Sequence, residues 1–282
     1  MSVKLPTNHK HLAVICGLKG DVNGLLTLSE LSYKADGNQY REWPLRQKGC
    51  GKVRYIQSPR PRLCYVQTRL YMELLSRLEV AEAAFGGVIG HDNIQNASIH
   101  TGNRFVFNTD IQNFYPTLNS SMVYRALLNV GFIPRIASII TKLTTYKGSV
   151  PTGAPTSSAI ANIVMSEFDE IVSAHASKRD LQYTRFVDDI VLSGQYDFRH
   201  SGSVAFILES IRSFGLKYHN RKTCFLDLER NGSVLITGID VSLECIQPSR
   251  AIRRLVKSGE YSTGLLGYIE RIKQVDDDLW KR

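Results

Sequence analysis

The chain has 282 residues and a formal net charge of +9, and its content of 43% hydrophobic and 22% charged residues excludes a disordered or fibrous protein. It has neither an apolar run of about 18 residues nor an apolar N-terminus, so we expect no membrane span and no signal peptide. Its five cysteines are scattered without a Cys-x-x-Cys pair, which excludes a zinc knuckle or disulfide framework and favours the cytoplasm.

The first distinctive segment along the chain is basic. Residues 46–69 contain seven Lys and Arg residues and no Asp or Glu. Because such a segment attracts polyanions, it indicates a surface for nucleic acid or a triphosphate, although a solvated face would have the same composition. Within it, residues 52–57 alternate like a strand, and residues 63–78 have the apolar spacing of a helix.

Between residues 104 and 241 the pattern predicts a sheet with helices. The predicted elements, in chain order, are a strand at 104–110, a helix from about 119–121, a helix at 156–175, a hairpin at 182–192, a helix at 203–214, and strands around 216–228 and 233–241. This order predicts an α+β fold in which helices cover one face of a mainly antiparallel sheet.

Two adjacent carboxylates, Asp188 and Asp189, lie at the tip of the predicted hairpin. They repel each other, and a divalent cation such as Mg²⁺ would neutralise them, although a solvated Asp-Asp turn is the common alternative. Asp110 also ends an apolar strand. If the two strands are neighbours in one sheet, the three carboxylates meet at one edge, as a two-metal phosphoryl-transfer site requires.

The segment that precedes the long helix, residues 150–157, is rich in small residues and includes Thr152 and Gly153. Small residues let the backbone approach a ligand, and a helix N-terminus favours anions. A plain loop with a helix cap is the alternative interpretation.

In order and spacing, these segments resemble the motifs of reverse transcriptases. Residues 110–116 resemble motif A, residues 151–157 resemble motif B, and residues 186–189 (Phe-Val-Asp-Asp) resemble the YxDD box of motif C. Residues 215–223 resemble motif D, and residues 52–67 resemble the basic fingers segment. Asn96 and His100 match the NAxxH signature of retron reverse transcriptases, and residues 236–238 (Ile-Thr-Gly) stand where that group has Val-Thr-Gly. The chain departs from the usual pattern at Phe186, in place of Tyr, and at Thr152, in place of Gln.

The resemblance implies a right-hand polymerase with fingers, palm and a short thumb, in which helices cover an antiparallel palm sheet. Residues 1–103 would form the N-terminal region and part of the fingers. Residues 104–240 would form the palm, with fingers helices interleaved, and residues 241–282 the short thumb.

The resemblance also implies roles for individual residues. Asp110, Asp188 and Asp189 would bind two Mg²⁺ ions together with the backbone of Ile111, and Lys222 would donate a proton to the pyrophosphate leaving group. The residues expected to bind the incoming dNTP are Lys52, Arg54, Thr152, Gly153 and Tyr115, the last as the ring that excludes a ribose 2′-hydroxyl. The residues expected to bind nucleic acid are Arg60, Arg62, Arg69, Asn96, His100, Arg250, Arg253 and Arg254. Structural alternatives are core packing for Tyr115, a surface position for Lys222, and a hydrogen bond between Asn96 and His100.

The function implied by the resemblance is that of a retron RNA-directed DNA polymerase, a nucleotidyltransferase. Such an enzyme copies part of a partner structured non-coding RNA, from an RNA 2′-hydroxyl, into branched multicopy single-stranded DNA (msDNA), and acts in antiphage defence with a separate effector protein. The alternatives are a group II intron-like, diversity-generating or abortive-infection reverse transcriptase, and a catalytically idle RNA-binding scaffold. The intact carboxylates argue against the scaffold, and the NAxxH and Ile-Thr-Gly signatures favour the retron.

Overall fold

The computed structural model describes residues 3–34, 36–46, 53–259 and 261–279. The chain begins with helices α1 (His9–Ile15) and α2 (Val22–Tyr33), strands β1 (Tyr40–Arg46) and β2 (Val53–Pro59), helices α3 (Pro61–Glu73) and α4 (Asn93–Ser98), and strand β3 (Phe105–Asp110). Four helices follow, α5 (Phe114–Thr117), α6 (Ser120–Asn129), α7 (Pro134–Thr144) and α8 (Ser157–Ser177), and then strands β4 (Gln182–Phe186) and β5 (Asp189–Gly194) and helix α9 (Ser203–Ser213). The last elements are strand β6 (Cys224–Asp227), helix α10 (Leu228–Asn231), strands β7 (Val234–Ile236), β8 (Ile239–Val241) and β9 (Ile246–Pro248), and helices α11 (Arg250–Lys257) and α12 (Thr263–Leu279). Helices combined with antiparallel strand pairs confirm the predicted α+β class. None of the described helices is long and apolar enough to span a membrane.

The chain divides into two compact units, residues 1–80 with 113–166 and residues 81–112 with 167–282. Segment 113–166, which lies within the range 104–240 expected to form the palm with interleaved fingers helices, groups with the N-terminal 80 residues.

The first unit is helical apart from the β1–β2 hairpin. Its strands pair antiparallel, from Tyr40 opposite Pro59 to Arg46 opposite Val53. Gln67 of α3 is fully buried, and its side chain donates to the Leu143 carbonyl at 2.6 Å and to the Tyr40 hydroxyl at 2.9 Å. These bonds satisfy the buried amide nitrogen and join α3 to α7 and to the base of the hairpin.

The second unit contains two antiparallel sheets, a four-stranded one in the order β4-β5-β3-β6 and a three-stranded one in the order β7-β8-β9. Val106 and Val191 from the first sheet share one buried cluster with Ile236 and Ile239 of the second and with Ile272 of α12. Both sheets therefore bury apolar faces in a common core, which leaves strand ends available for polar residues.

The predicted strand around residues 216–228 is wrong over its first part, because only Cys224–Asp227 is a strand. Residues 216–223 form a loop beside the end of β3, where His219 N donates to Asp110 O at 2.7 Å. A tight turn then forms as Lys222 N donates to His219 O at 2.8 Å, and this local hydrogen bonding competes with a continuous strand ladder.

Candidate active site

Two of the three predicted carboxylates lie on neighbouring strands of the four-stranded sheet, and the third lies in the adjoining turn. Asp110 is the last residue of β3 and Asp189 the first of β5, and the two are direct partners across the strand pair. Asp188 lies in the β4–β5 turn, and its carbonyl accepts from Ile111 N at 2.9 Å. The expectation that these strands lie side by side is therefore met.

The electrostatics of this edge reflect its concentrated negative charge. Burial, followed by the charges of Asp188 and Asp110, raises the pKa of Asp189 to about 7. Lys222 Nζ donates to Asp110 Oδ2. Burial disfavours the charged lysine, but the hydrogen bond to Asp110 and the attraction to all three aspartates together outweigh that cost and raise the pKa of Lys222.

The donor set of this edge fits a divalent cation. Carboxylates are the hard oxygen ligands that Mg²⁺ prefers, and a bound cation would reduce the repulsion of Asp189 by Asp188 and Asp110. Within the described ranges, no three His, Cys, Asp or Glu side chains already form a closed metal site. In this conformation one oxygen of Asp110 binds Lys222 instead.

In the first unit, the loop that resembles motif B lies along β2. Gln57 N donates to Thr152 O at 2.7 Å, and Thr152 N donates to Gln57 Oε1 at 3.4 Å. Gly153 has a φ of +112°, and a Cβ there would lie 3.0 Å from Ile56 Cγ2, so the close approach requires glycine. Arg54, on the same strand, is exposed.

The structure therefore brings Thr152 and Gly153 beside the strand that carries Arg54, and it adds Gln57, which sequence reasoning missed. Gln57 lies in the predicted strand, but its partner is nearly a hundred residues later, so no local pattern marks it. Lys52 lies outside the described residues.

Tyr115, in α5, is half-buried, whereas the adjacent Phe114 is buried. The Tyr115 hydroxyl lies 3.0 Å from Ser158 Oγ, and its ring is tilted against Phe114 at 5.4 Å between centroids. Core packing thus accounts for Phe114, and Tyr115 keeps a partly accessible ring.

The arginines predicted to bind nucleic acid differ in their partners. Arg62, Arg250 and Arg254 are exposed. Three others bind protein groups: Arg60 donates to Asn38 Oδ1 at 2.7 Å, Arg69 pairs with Glu73 at 3.0 Å, and Arg253 pairs with Asp240 at 2.9 Å. The first three are therefore the more available for phosphate.

Asn96 and His100 are both fully buried, which corrects the expectation that they contact nucleic acid directly. The His100 ring lies 2.7 Å from Ser193 Oγ and 2.8 Å from Thr184 Oγ1, and burial lowers its pKa to about 3. Asn96 Nδ2 donates to Thr237 Oγ1 at 3.4 Å. The two residues do not hydrogen-bond each other, which was the structural alternative. His100 instead joins the segment that follows α4 to both strands of the β4–β5 hairpin.

The two retron signatures contact each other through α4. Thr237, in the Ile-Thr-Gly turn, has a φ of +46°. Its carbonyl accepts from Asn93 Nδ2 at 3.0 Å, and the same amide donates to Tyr268 OH at 2.7 Å. Asn93, which lies just before the NAxxH segment and was missed, thereby links α4, the β7–β8 turn and α12.

Comparison with known proteins agrees with this architecture. The family model described as reverse transcriptase (RNA-dependent DNA polymerase) matches residues 46–264. The retron Ec86 reverse transcriptase of Escherichia coli is 32% identical over 219 residues, which cover 77% of this chain and 68% of that protein. The retron Se72 reverse transcriptase of Salmonella heidelberg (strain 579083-10) is 26% identical over 254 residues, or 88% of this chain and 67% of that protein.

Solved structures show the same fold. Telomerase from Candida albicans, in complex with a fragment of telomeric RNA, has a TM-score of 0.56 at 12% identity and covers 80% of this chain. The chain spans about half of that protein, 47% of its length. The likeness confirms the polymerase fold that the motifs predicted. Together with the family match and the retron relatives, it shows that the chain belongs to the reverse transcriptase (RNA-dependent DNA polymerase) family and is of the retron type.

Proposed function

We propose that this retron-type reverse transcriptase copies part of a structured non-coding RNA into DNA, starting from a 2′-hydroxyl of that RNA, and so makes branched msDNA. The observation that carries the polymerase part is the cross-strand pairing of Asp110 with Asp189, beside Asp188 in the adjoining turn. The retron part is supported by the identity to retron relatives and by the mutual contacts of the NAxxH and Ile-Thr-Gly segments.

In this proposal, Asp110, Asp188 and Asp189 hold two Mg²⁺ ions, with the Ile111 carbonyl as a further oxygen ligand. Bound divalent cations activate the attacking hydroxyl and stabilise the leaving oxygen. Lys222 carries a proton at Nζ, and transfer of that proton to the departing pyrophosphate neutralises the charge that develops there. Before transfer, the ion pair with Asp110 holds the ammonium at the acidic edge.

Nucleotide binding is assigned to residues of the first unit. Lys52 and Arg54 bind the triphosphate, for which a point charge and a bidentate fork are both suited. Thr152 and Gly153 present backbone beside β2, and the Tyr115 ring excludes a 2′-hydroxyl. The arginines assigned to template or duplex phosphates are Arg60, Arg62, Arg69, Arg250, Arg253 and Arg254.

We further propose that fingers, palm and short thumb follow the predicted boundaries at residues 103 and 240. The retron assignment also implies a cognate RNA, a separate effector protein and a role in antiphage defence. A cytoplasmic location is supported by the free thiols of the four cysteines in the described residues.

The test is extension of a primed RNA template with dNTPs and Mg²⁺. The wild type should make DNA, and the double variant Asp188→Asn, Asp189→Asn should make at least about 10³-fold less, because the cation loses two charged ligands. The matched control is Asp180→Asn, which removes one carboxylate from an exposed position at a φ of +53°, where asparagine is tolerated. Equal DNA yields from the wild type and the double variant would contradict the polymerase assignment.

Sequencing the nucleic acid that copurifies with the protein tests the retron assignment. A short DNA joined 2′–5′ to RNA would support it. Unbranched DNA would favour another bacterial reverse transcriptase, and RNA without DNA would favour an RNA-binding scaffold.

A further inference from the structure

Arg185 is among the largest fully buried side chains of the second unit, and it lies two residues before the turn that contains Asp188. It pairs with Asp169 of α8, whose side chain is also fully buried. Arg185 Nε donates to Asp169 Oδ1 at 2.9 Å and Nη2 donates to Asp169 Oδ2 at 2.6 Å. The Tyr183 hydroxyl donates to Asp169 Oδ1 at 2.7 Å, so the buried carboxylate is well partnered.

The remaining arm of the guanidinium reaches the turn. Arg185 Nη1 donates to the Val187 carbonyl at 2.9 Å. Val187 has a φ of +59°, which is unfavourable for a β-branched residue and requires support from its surroundings. Because the Val187 carbonyl belongs to the peptide group that leads into Asp188, Arg185 sets the orientation of that group.

The other peptide group of Asp188 is also held. The Asp188 carbonyl accepts from Ile111 N at 2.9 Å, at the end of β3. Asp188 therefore lies between two anchored peptide groups, one bonded to Arg185 and the other to β3. These two hydrogen bonds fix the backbone of Asp188 and therefore limit the positions that its carboxylate can occupy.

A third contact to the turn comes from residues 83–86. Segment 83–86 runs beside Arg185, whose N donates to Ala83 O at 2.7 Å and whose O accepts from Phe85 N at 2.9 Å. A Cβ on Gly86 would lie 2.5 Å from Val187 N, so the segment approaches the turn as closely as glycine permits.

We propose that Arg185 is a positioning residue, which Asp169 holds in place and which fixes the Val187–Asp188 turn so that the Asp188 carboxylate is set for its cation. This inference rests on the proposed function. A buried ion pair is inefficient at stabilising a fold compared with apolar residues of similar volume, so its presence behind this turn favours a positioning role. Lysine cannot replace it, because three directed bonds from one planar group require a guanidinium.

The test separates positioning from folding. In the triple variant Asp169→Leu, Tyr183→Phe, Arg185→Met, apolar groups of similar volume replace all three polar partners, so no buried charge is left unpaired. The Val187 carbonyl then loses the donor that Arg185 supplies. Tyr183→Phe is the matched control, because it keeps the Arg185–Asp169 pair and the bond to Val187.

Hydrogen exchange of the metal-free protein is the first readout. Amides of residues 186–189 should exchange at least about 10-fold faster in the triple variant than in the wild type or in Tyr183→Phe. Titration with Mn²⁺, followed by electron paramagnetic resonance, should show about 10-fold weaker binding, as is usual when a residue that orients a metal ligand is lost. The single-turnover rate should fall about 10²-fold, with little change in the KM for dNTP.

Wild-type exchange, Mn²⁺ binding or single-turnover rate in a folded triple variant would each overturn the proposal. If the triple variant does not fold, Arg185→Lys serves for the same three measurements, because it keeps a buried cation for Asp169 but loses the fork. Failure of the proposed function has a different signature: the wild type itself would not extend a primed RNA template, while hydrogen exchange would still report on the turn.

Discussion

Lys222 donates a hydrogen bond to a carboxylate oxygen of Asp110, the residue that ends β3. The pair places the one cation that contacts this carboxylate, within the described part of the chain, on the loop that resembles motif D. A lysine in this position can both hold a proton for the leaving group and reduce repulsion among the three aspartates.

Lys222→Met should lower the single-turnover rate of nucleotide incorporation about 10²-fold, because the proton donor is lost, while the KM for dNTP changes little. Rapid-quench kinetics measure both quantities. Lys217→Met is the matched control, since it removes the same charge from an exposed position in the same loop. Incorporation by Lys222→Met at the wild-type rate would exclude the proton-donor role.

Tyr115→Val should lower the preference for dNTP over NTP about 10²-fold, because the half-buried ring no longer excludes a 2′-hydroxyl. The preference is measured as the ratio of kcat/KM for the two substrates. Tyr115→Phe should keep the wild-type ratio, since it loses the contact with Ser158 but keeps the ring. An unchanged ratio in Tyr115→Val would assign the ring to packing alone.

Gly86→Ala should destabilise the protein by about 1–3 kcal/mol, because its Cβ would lie 2.5 Å from the backbone nitrogen of Val187, which cannot move aside as a side chain would. Urea denaturation measures the change. Gly267→Ala makes the same substitution in α12, where the added Cβ would meet no atom within 4 Å beyond the local helix backbone, and it should stabilise the protein by about 0.5–1 kcal/mol. The two variants are expected to change the free energy of unfolding in opposite directions, and similar stabilities of the two would argue against the close approach.

His100 predicts a pH dependence of stability. Burial lowers its pKa from an ordinary 6.5 to about 3, so the folded protein keeps the ring neutral where the unfolded chain binds a proton. The contribution of His100 to the free energy of unfolding is therefore fully present above pH 6.5 and falls as the pH drops toward 3. Between pH 7.5 and pH 5, protonation of His100 in the unfolded chain lowers the free energy of unfolding by about 2 kcal/mol.

His100→Gln removes the titrating group, and the unfolding free energy of that variant should fall less steeply over the same pH range. Denaturant titrations of both proteins at several pH values give the difference between the two profiles, in which the contributions of other groups cancel. Parallel profiles would show that the buried ring does not resist protonation.

Local patterns were sufficient for the strands that carry the aspartates. The apolar run before Asp110 and the two apolar runs around Asp188 predict strand ends, since alternation and turn residues act over a few neighbours. The loop at residues 216–223 shows the limit, because its hydrogen bonds to the end of β3 are made to residues about a hundred positions earlier. Asn96 and His100 illustrate another limit: their signature was visible, but their burial was not.

The sequence by itself determined the α+β class, the family, and which carboxylates, basic residues and aromatic ring deserve chemical roles, because these depend on residue type and spacing along the chain. Only the tertiary structure decided how those groups are supported. A charged residue in the buried middle of a strand, as at Arg185, needs a buried partner, but the choice of Asp169 depends on how α8 packs against β4. A buried polar group that lacks a hydrogen-bond partner pays the full cost of desolvation, and tertiary packing determines which residue can be that partner.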